Sequence, residues 1–200
     1  EYTFRVAAVN PTGTSSYSNT VQCTPRGISI TSISPTSGTY LGGGSMTINA
    51  TGLGDSQKFV QISSGGSYTC GLSHDGEGYC WGSNYDGKLG NGNTTDSSTP
   101  VLVSQGDRAD NVTFSSMSAG SSHTCGVGSD GNGYCWGNNG YGKLGNGSYT
   151  NKNVPTLVSQ GARPSADVTF ISISAGYIHT CGLGSDGNGY CWGGNTKGQL

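Results

Sequence analysis

Apolar and polar residues alternate along this chain in short runs broken by glycine, and the whole pattern is written three times. SYTCGLSHDGEGYCWG begins at Ser67, SHTCGVGSDGNGYCWG at Ser122 and IHTCGLGSDGNGYCWG at Ile178. The intervals from Cys70 to Cys125 and from Cys125 to Cys181 are 55 and 56 residues. A period of this length is the signature of units that stack to share a core. Each copy follows a β-rich run: Phe59-Val60-Gln61-Ile62, Val112 through Met117, and Val168 through Ile173. A Gly/Asn-rich loop comes next, from Trp81 to Gly90, from Trp136 to Gly145, and again from Trp192. An extended run with a proline near its start closes the unit, Pro100-Val101-Leu102-Val103 and Pro155-Thr156-Leu157-Val158. Proline suits the first residue of an edge strand. The pattern therefore predicts about four strands per unit and no helix.

The repeated core predicts its own geometry. Asp-Gly stands midway between the cysteines, at Asp75-Gly76, Asp130-Gly131 and Asp186-Gly187. A three-residue hairpin loop wants glycine at its third position, where the backbone turns left-handed. His74-Asp75-Gly76, Ser129-Asp130-Gly131 and Ser185-Asp186-Gly187 meet that demand. In this register the two cysteines of each hairpin lie opposite one another as a non-hydrogen-bonded pair, with Cα atoms about 4.5 Å apart. Cys125 and Val127 share one face with Cys135, while Tyr134 and Trp136 point to the other. A sheet apolar on both faces must be covered on both sides. A blade stacked between copies of itself satisfies this, so the expected fold is all-β, a partial β-propeller, with a solenoid of β-arches as the alternative.

Composition narrows the functional classes. The chain has 200 residues, of which 10% are charged, against roughly 25% in ordinary soluble domains. The net charge is −2, and lysine and arginine are scattered singly, which excludes the dense basic face that nucleic acid requires. No apolar run approaches the ~18–20 residues that span a bilayer, so no membrane insertion is expected in this segment. It starts at Glu1 and stops within the third repeat, and reads as a piece of a longer polypeptide.

Seven cysteines divide into Cys70 with Cys80, Cys125 with Cys135, Cys181 with Cys191, and a single Cys23 with no partner at the repeat spacing. A disulfide and a metal site are the two readings of each pair. His123 and His179 stand two residues before a cysteine on the same strand face, but Tyr68 replaces them in the first copy and no fourth ligand recurs. Disulfides are therefore expected at all six positions, with no metal and no cofactor. Persistent disulfides imply an oxidising compartment, hence an extracellular or cell-surface setting.

The string Ile173-Ser174-Ala175-Gly176, His179-Thr180-Cys181-Gly182-Leu183, Ser185-Asp186-Gly187 and Tyr190-Cys191-Trp192-Gly193 resembles the repeat of the regulator of chromosome condensation family. Asn139-Gly140-Tyr141-Gly142-Lys143-Leu144-Gly145 extends the likeness, which covers residues 57–200 in about two and a half units. The resemblance implies blades of a seven-bladed propeller. Cysteines stand where that family usually has an aliphatic and a small residue. Upstream, Tyr2-Thr3-Phe4-Arg5-Val6-Ala7-Ala8-Val9-Asn10 with Ser16-Tyr17-Ser18-Asn19 resembles the last strands of a fibronectin type III domain over residues 1–26. Tyr2, Phe4, Val6 and Ala8 would then face the core of an immunoglobulin-like β-sandwich fragment. Residues 27–56, with Ile30-Thr31-Ser32-Ile33-Ser34-Pro35 and Gly42-Gly43-Gly44, resemble the start of a TIG domain, or a linker with its look.

Enzyme signatures are sparse: no Gly-x-Ser-x-Gly elbow and no phosphate loop occur. Asp-Gly-Asn-Gly lacks the later acidic ligands of a calcium loop. The four Asn-x-Ser/Thr sites, at Asn49, Asn93, Asn111 and Asn146, are expected from composition. Variation lies in the loops, where Tyr85-Asp86, Gly140-Tyr141 and Thr196-Lys197 occupy matching slots, and Asp107-Arg108 is matched by Ala162-Arg163. Variable polar and aromatic residues on a fixed frame describe a recognition surface. Tyr85, Asp86, Tyr141, Lys197, Arg108 and Arg163 are the ligand-binding candidates. The expected function is a non-catalytic extracellular recognition or adhesion module for a protein or glycan ligand. The alternative is an accessory region of a large secreted polysaccharide-degrading enzyme whose catalysis lies elsewhere.

Overall fold

The computed structural model describes residues 58–165 and 167–200 in full, with the backbone of six short strands upstream. The chain divides into two compact units, Glu1–Gln57 and Lys58–Leu200. In the first, β1 (Tyr2–Phe4) pairs with β4 (Val21–Cys23), β2 (Val9–Asn10) with β3 (Gly13–Thr14), and β5 (Ser29–Ser34) with β6 (Thr47–Thr51), all antiparallel. The side chains of Tyr2, Phe4, Val6 and Ala8, and any partner of Cys23, lie outside the described residues.

The second unit is three antiparallel sheets in sequence. The first holds β7 (Phe59–Ser64), β8 (Tyr68–Ser73), β9 (Gly78–Gly82) and β10 (Ser97–Leu102) in spatial order. The second holds β11 (Phe114–Ala119), β12 (His123–Gly128), β13 (Gly133–Gly137) and β14 (Lys152–Leu157). The third holds β15 (Phe170–Ala175), β16 (His179–Gly184) and β17 (Gly189–Gly193). No α-helix occurs among the described residues; a 3-10 turn covers Gly140–Gly142.

The hairpins follow the expected register. Cys70 faces Cys80, Cys125 faces Cys135 and Cys181 faces Cys191. Each pair is a disulfide with Cα atoms 4.1 Å apart. The loops close by Ser73 N–H donating to Glu77 O, Gly128 to Asn132 and Gly184 to Asn188. Gly76, Gly131 and Gly187 take φ of 81°, 76° and 82° there, which a side chain rarely tolerates. The prolines depart from expectation. Pro100 and Pro155 sit inside β10 and β14 rather than at their starts, each within an interval where the register shifts. A bulge frees the residue from ladder bonding, so the missing N–H costs nothing.

Blades stack with the predicted two-faced logic. Phe114, Met117, Tyr134 and Trp136 of the second sheet share one core with Cys70, Leu72, Cys80 and Leu89 of the first. The opposite face of the second sheet, Cys125, Val127 and Cys135, packs on Phe170 and Ile173 of the third. Polar bonds stitch the same interfaces. Trp136 Nε1 donates to Lys88 O at 3.0 Å, and Trp192 Nε1 to Lys143 O at 3.0 Å. Thr124 Oγ1 donates to Lys88 O at 2.7 Å and lies 2.9 Å from Tyr68 Oη, which donates to His123 O at 2.6 Å. Thr180 repeats the bond to Lys143 O at 2.8 Å. Thr124→Val removes a buried hydroxyl from this junction and is expected to cost about 1–3 kcal/mol. Chemical denaturation measures it, and Thr69→Val, on the first blade with no preceding blade among the described residues, is expected to change stability far less.

Candidate functional site

Antiparallel order puts the loops of the propeller on two sides. The β7–β8, β11–β12 and β15–β16 connections lie at the same sheet end as the long loops after β9, β13 and β17. Backbone bonds join them: Ser83 N–H donates to Ser67 O, Asn138 to Ser122 and Gly194 to Ile178. The hairpin turns at Asp75, Asp130 and Asp186 and the segments from Val103 to Thr113 and Val158 to Thr169 occupy the other end. Cross-blade bonds align these ends from blade to blade, Gly66 N–H to Gly120 O on one side and Phe114 N–H to Gly76 O on the other.

On the first side, Tyr85, Tyr141, Tyr149 and Tyr177 are 82%, 58%, 77% and 75% exposed. Their loops are held from within. Asn84 is buried; its Oδ1 accepts from Leu89 N and its Nδ2 donates to Asn93 O at 3.0 Å. Asn139 does the same in the second blade, accepting from Leu144 N at 3.0 Å and donating to Ser148 O at 2.8 Å. A buried amide that saturates a loop's backbone fixes the loop while its apex stays free to vary. Tyr141 holds φ of 67°, the one positive value among described non-glycine residues. Such a backbone costs of order 1 kcal/mol for a bulky residue. The ring of Tyr149 lies beside the adjoining Gly142.

The six candidates separate on this frame. Tyr85, Tyr141 and Lys197 are exposed on the tyrosine side. Asp86 is half-buried, and its Oδ1 accepts from Asn151 Nδ2 of the next blade at 3.0 Å, so it serves the blade junction as well. Arg108 and Arg163 do not join them. They are only 5% and 8% exposed and lie at the opposite end. Arg108 stacks 4.1 Å from the Phe114 ring centroid and donates to Val112 O at 2.9 Å and Ser104 O at 3.1 Å. Arg163 stacks 4.6 Å from Phe170 and donates to Val168 O at 2.7 Å. Five donors on a flat group satisfy a turn's carbonyls and cover an aromatic face at once, so these arginines clamp the loop that enters each blade. Their shared place at the end of a Val-Ser-Gln-Gly-x-Arg run, from Val103 and from Val158, is the sign of a framework role in the sequence. Tyr149 and Tyr177 went unselected because each lacks an aromatic counterpart in the other copies.

The histidines do not assemble a metal centre. The cysteines are paired with each other, and among the described residues no three His, Cys, Asp or Glu side chains gather. His123 Nε2 lies 2.8 Å from Thr180 Oγ1, whose proton goes to Lys143 O, so the imidazole donates from Nε2. Nδ1 of His123 is buried without a partner. Burial, with Lys143 and His179 nearby, pushes the His123 imidazole down to about 3. Among the described residues no helix is long and apolar enough to cross a membrane.

Stacked, disulfide-stapled antiparallel sheets with inter-blade tryptophan bonds define a β-propeller built from a tandem repeat. Residues 75–127 and 130–183 match the Regulator of chromosome condensation (RCC1) repeat, and a second form of the same repeat matches 59–88, 114–143 and 170–199. The chain belongs to that family. It is 32% identical over 143 residues to the Ultraviolet-B receptor UVR8 of Arabidopsis thaliana, covering 72% of this chain and 31% of the relative. It is 33% identical over 145 residues to the E3 ubiquitin-protein ligase HERC2 of Homo sapiens, covering 72% of this chain but 3% of that one. The chain thus spans a third or less of these relatives. Its fold is also that of a chain in the crystal structure of Kap60 bound to yeast RCC1 (Prp20), with TM-score 0.59 and 22% identity over 72% of this chain and 33% of that one. Human WBSCR16 shares the fold at TM-score 0.54 and 23% identity, over 64% of this chain and 31% of that one.

Proposed function

We propose that this chain is a non-catalytic recognition module that binds a protein through the tyrosine-bearing side of its blades, outside the reducing cell interior. The observation that carries this reading is the set of four exposed tyrosines on one side, three of them in loops held by the buried Asn84 and Asn139. Tyrosine offers a large, rigid, amphipathic contact at small entropy cost and is enriched at protein interfaces. The family supports a protein ligand over a glycan, since its members include a receptor, a protein solved with Kap60, and Prp20p studied for binding Gsp1p and histones. The three disulfides support an exported setting. Fibronectin type III-like residues 1–26 and TIG-like residues 27–56 fit that setting as spacer modules, in an adhesin or beside a secreted catalytic domain.

The test compares the chain with a Tyr85→Ala/Tyr141→Ala/Tyr149→Ala/Tyr177→Ala variant against surface-protein libraries and arrayed glycans. A protein ligand bound by the parent and lost at least about tenfold by the variant supports the reading, since burying such side chains is worth ~1.5–3 kcal/mol each. Equal capture by both chains, or capture of glycans alone, refutes it.

A further inference from the structure

The charges of the blades are sorted by end. Lys88, Lys143, Lys152 and Lys197 lie on the tyrosine side, where Asp86 and Asp96 are the only carboxylates among the described residues. Every other carboxylate of the described blades, from Asp75 to Asp186, lies at the hairpin-turn end with the exposed Lys58. Both tyrosine-side carboxylates are engaged locally. Asp86 Oδ1 accepts from Asn151 Nδ2 at 3.0 Å, and Asp96 Oδ1 from Asn84 N at 2.7 Å. Further repeats of a propeller add beside a blade and not over its loops, so this sorting belongs to the blades themselves.

The Gly-Lys-Leu-Gly runs at 87–90 and 142–145 hold two of these lysines at equivalent positions. Lys88 and Lys143 are only 7% and 3% exposed, yet neither ammonium has a carboxylate partner among the described residues. Lys88 Nζ lies 5.4 Å from the centroid of the Tyr68 ring and has no hydrogen-bond acceptor among the described residues. Its stem passes the next blade at Gly137, where a Cβ would sit 3.1 Å from Lys88 Cβ. Lys143 Nζ donates to Ser122 Oγ at 2.9 Å, in the β11–β12 connection. Burial pushes the Lys143 ammonium below the usual lysine range, with Asp86 acting against that. A packed stem fixes the charge in advance, so pairing with an incoming anion costs little side-chain entropy.

We propose that the tyrosine side binds an acidic polypeptide segment whose Asp or Glu carboxylates pair with Lys88 and Lys143; this rests on the reading of that side as a protein-binding face. Apolar residues of the same segment lie on the tyrosines. The repeat sets the two ammonium groups at matching places in neighbouring blades, so a segment crossing both blades meets them in turn. Lysines spread singly among tyrosines are too sparse for a polyanion that binds by releasing counterions. They suit separate carboxylates, each gaining a charge-assisted hydrogen bond. The acidic opposite end repels the same segment and steers it to the tyrosine side.

The probe is a random-peptide phage library panned on the whole chain, followed by titration of the selected peptides in synthetic form. Peptides are retained when the four-tyrosine variant fails to bind them. Expected is enrichment of Asp and Glu in the retained peptides. Their affinity is expected to fall at least about tenfold in a Lys88→Gln/Lys143→Gln variant, and to fall with rising salt. The repeat accepts glutamine at that position, since Gln199 stands there in the third copy. Retained peptides without acidic enrichment, or bound equally by the lysine variant, overturn the proposal and leave the protein-binding reading standing. No tyrosine-dependent peptide overturns both. Binding of heparin in place of acidic peptides, or salt-sensitive self-association through the chain's own acidic end, also overturns the proposal.

Discussion

His123→Tyr is expected to turn this chain from acid-labile to acid-tolerant over pH 6.5 to 3.5. His123 is fully buried between blades, its Nε2 bonded to Thr180 and its Nδ1 facing no donor or acceptor. Protonation would place a charge, and an unpaired donor, in the interior. Burial first, then Lys143 and His179, hold its pKa at about 3, against ~6.5 unfolded. The unfolded chain therefore binds the proton more readily, and stability is full above pH 6.5 and lost as pH falls. The slope approaches about 1.4 kcal/mol per pH unit, accumulating to ~4 kcal/mol near pH 3.5. The raised Tyr68 and lowered Asp130 titrate outside that window or at its acid end. The first blade supplies the remedy, because Tyr68 occupies the equivalent slot, donates to His123 O and meets the Thr124 hydroxyl. A tyrosine at 123 has the same relation open to His179 O and Thr180. Urea midpoints from pH 7 to 3.5 measure it. Parallel slopes in parent and variant would show that His123 does not govern the transition.

That exchange also marks the division between what the sequence discloses and what it hides. The hairpin register was legible because three constraints coincide: a left-handed glycine, opposed cysteines and period-two alternation. The pairing of a cysteine face with the next blade's aromatic face was legible in Tyr134 and Trp136. The cross-blade polar wiring was not. Tyr68 and His123 look like substitutions at a variable slot, yet both reach across to the following blade. Their role depends on neighbours 55 to 57 residues away, which no local pattern encodes.

The candidate site shows the same boundary. Tyr85, Tyr141 and Lys197 lie exposed on loops between framework segments, where the repeat alignment places variable residues. Arg108 and Arg163 misled because charge ordinarily signals solvent. A guanidinium with three carbonyls and an aromatic ring to satisfy is instead more stable inside. Tyr177 needed the strand directions, since only the fold places a β15–β16 loop on the same side as the loops after β9 and β13.

Reduction is expected to proceed in two stages, and the order follows from burial. Cys191 is exposed and Cys181 half-buried, whereas Cys70, Cys80, Cys125 and Cys135 are at most 1% exposed beneath the next blade. A thiolate must reach a sulfur to exchange with it, so mild reductant opens Cys181–Cys191 while the fold persists. The inner pairs open only when blades separate. Each short loop closure contributes about 2–3 kcal/mol in the entropic description. Losing both inner pairs removes ~5 kcal/mol, comparable with the whole stability of a modest domain. Cys181→Ala/Cys191→Ala is therefore expected to lose about 2–3 kcal/mol and still fold, and removal of both inner pairs to leave the chain unfolded. Timed alkylation with mass mapping, beside circular dichroism, reads the two stages. Simultaneous labelling of all six cysteines in a folded chain would contradict the stacked-blade burial on which the order rests.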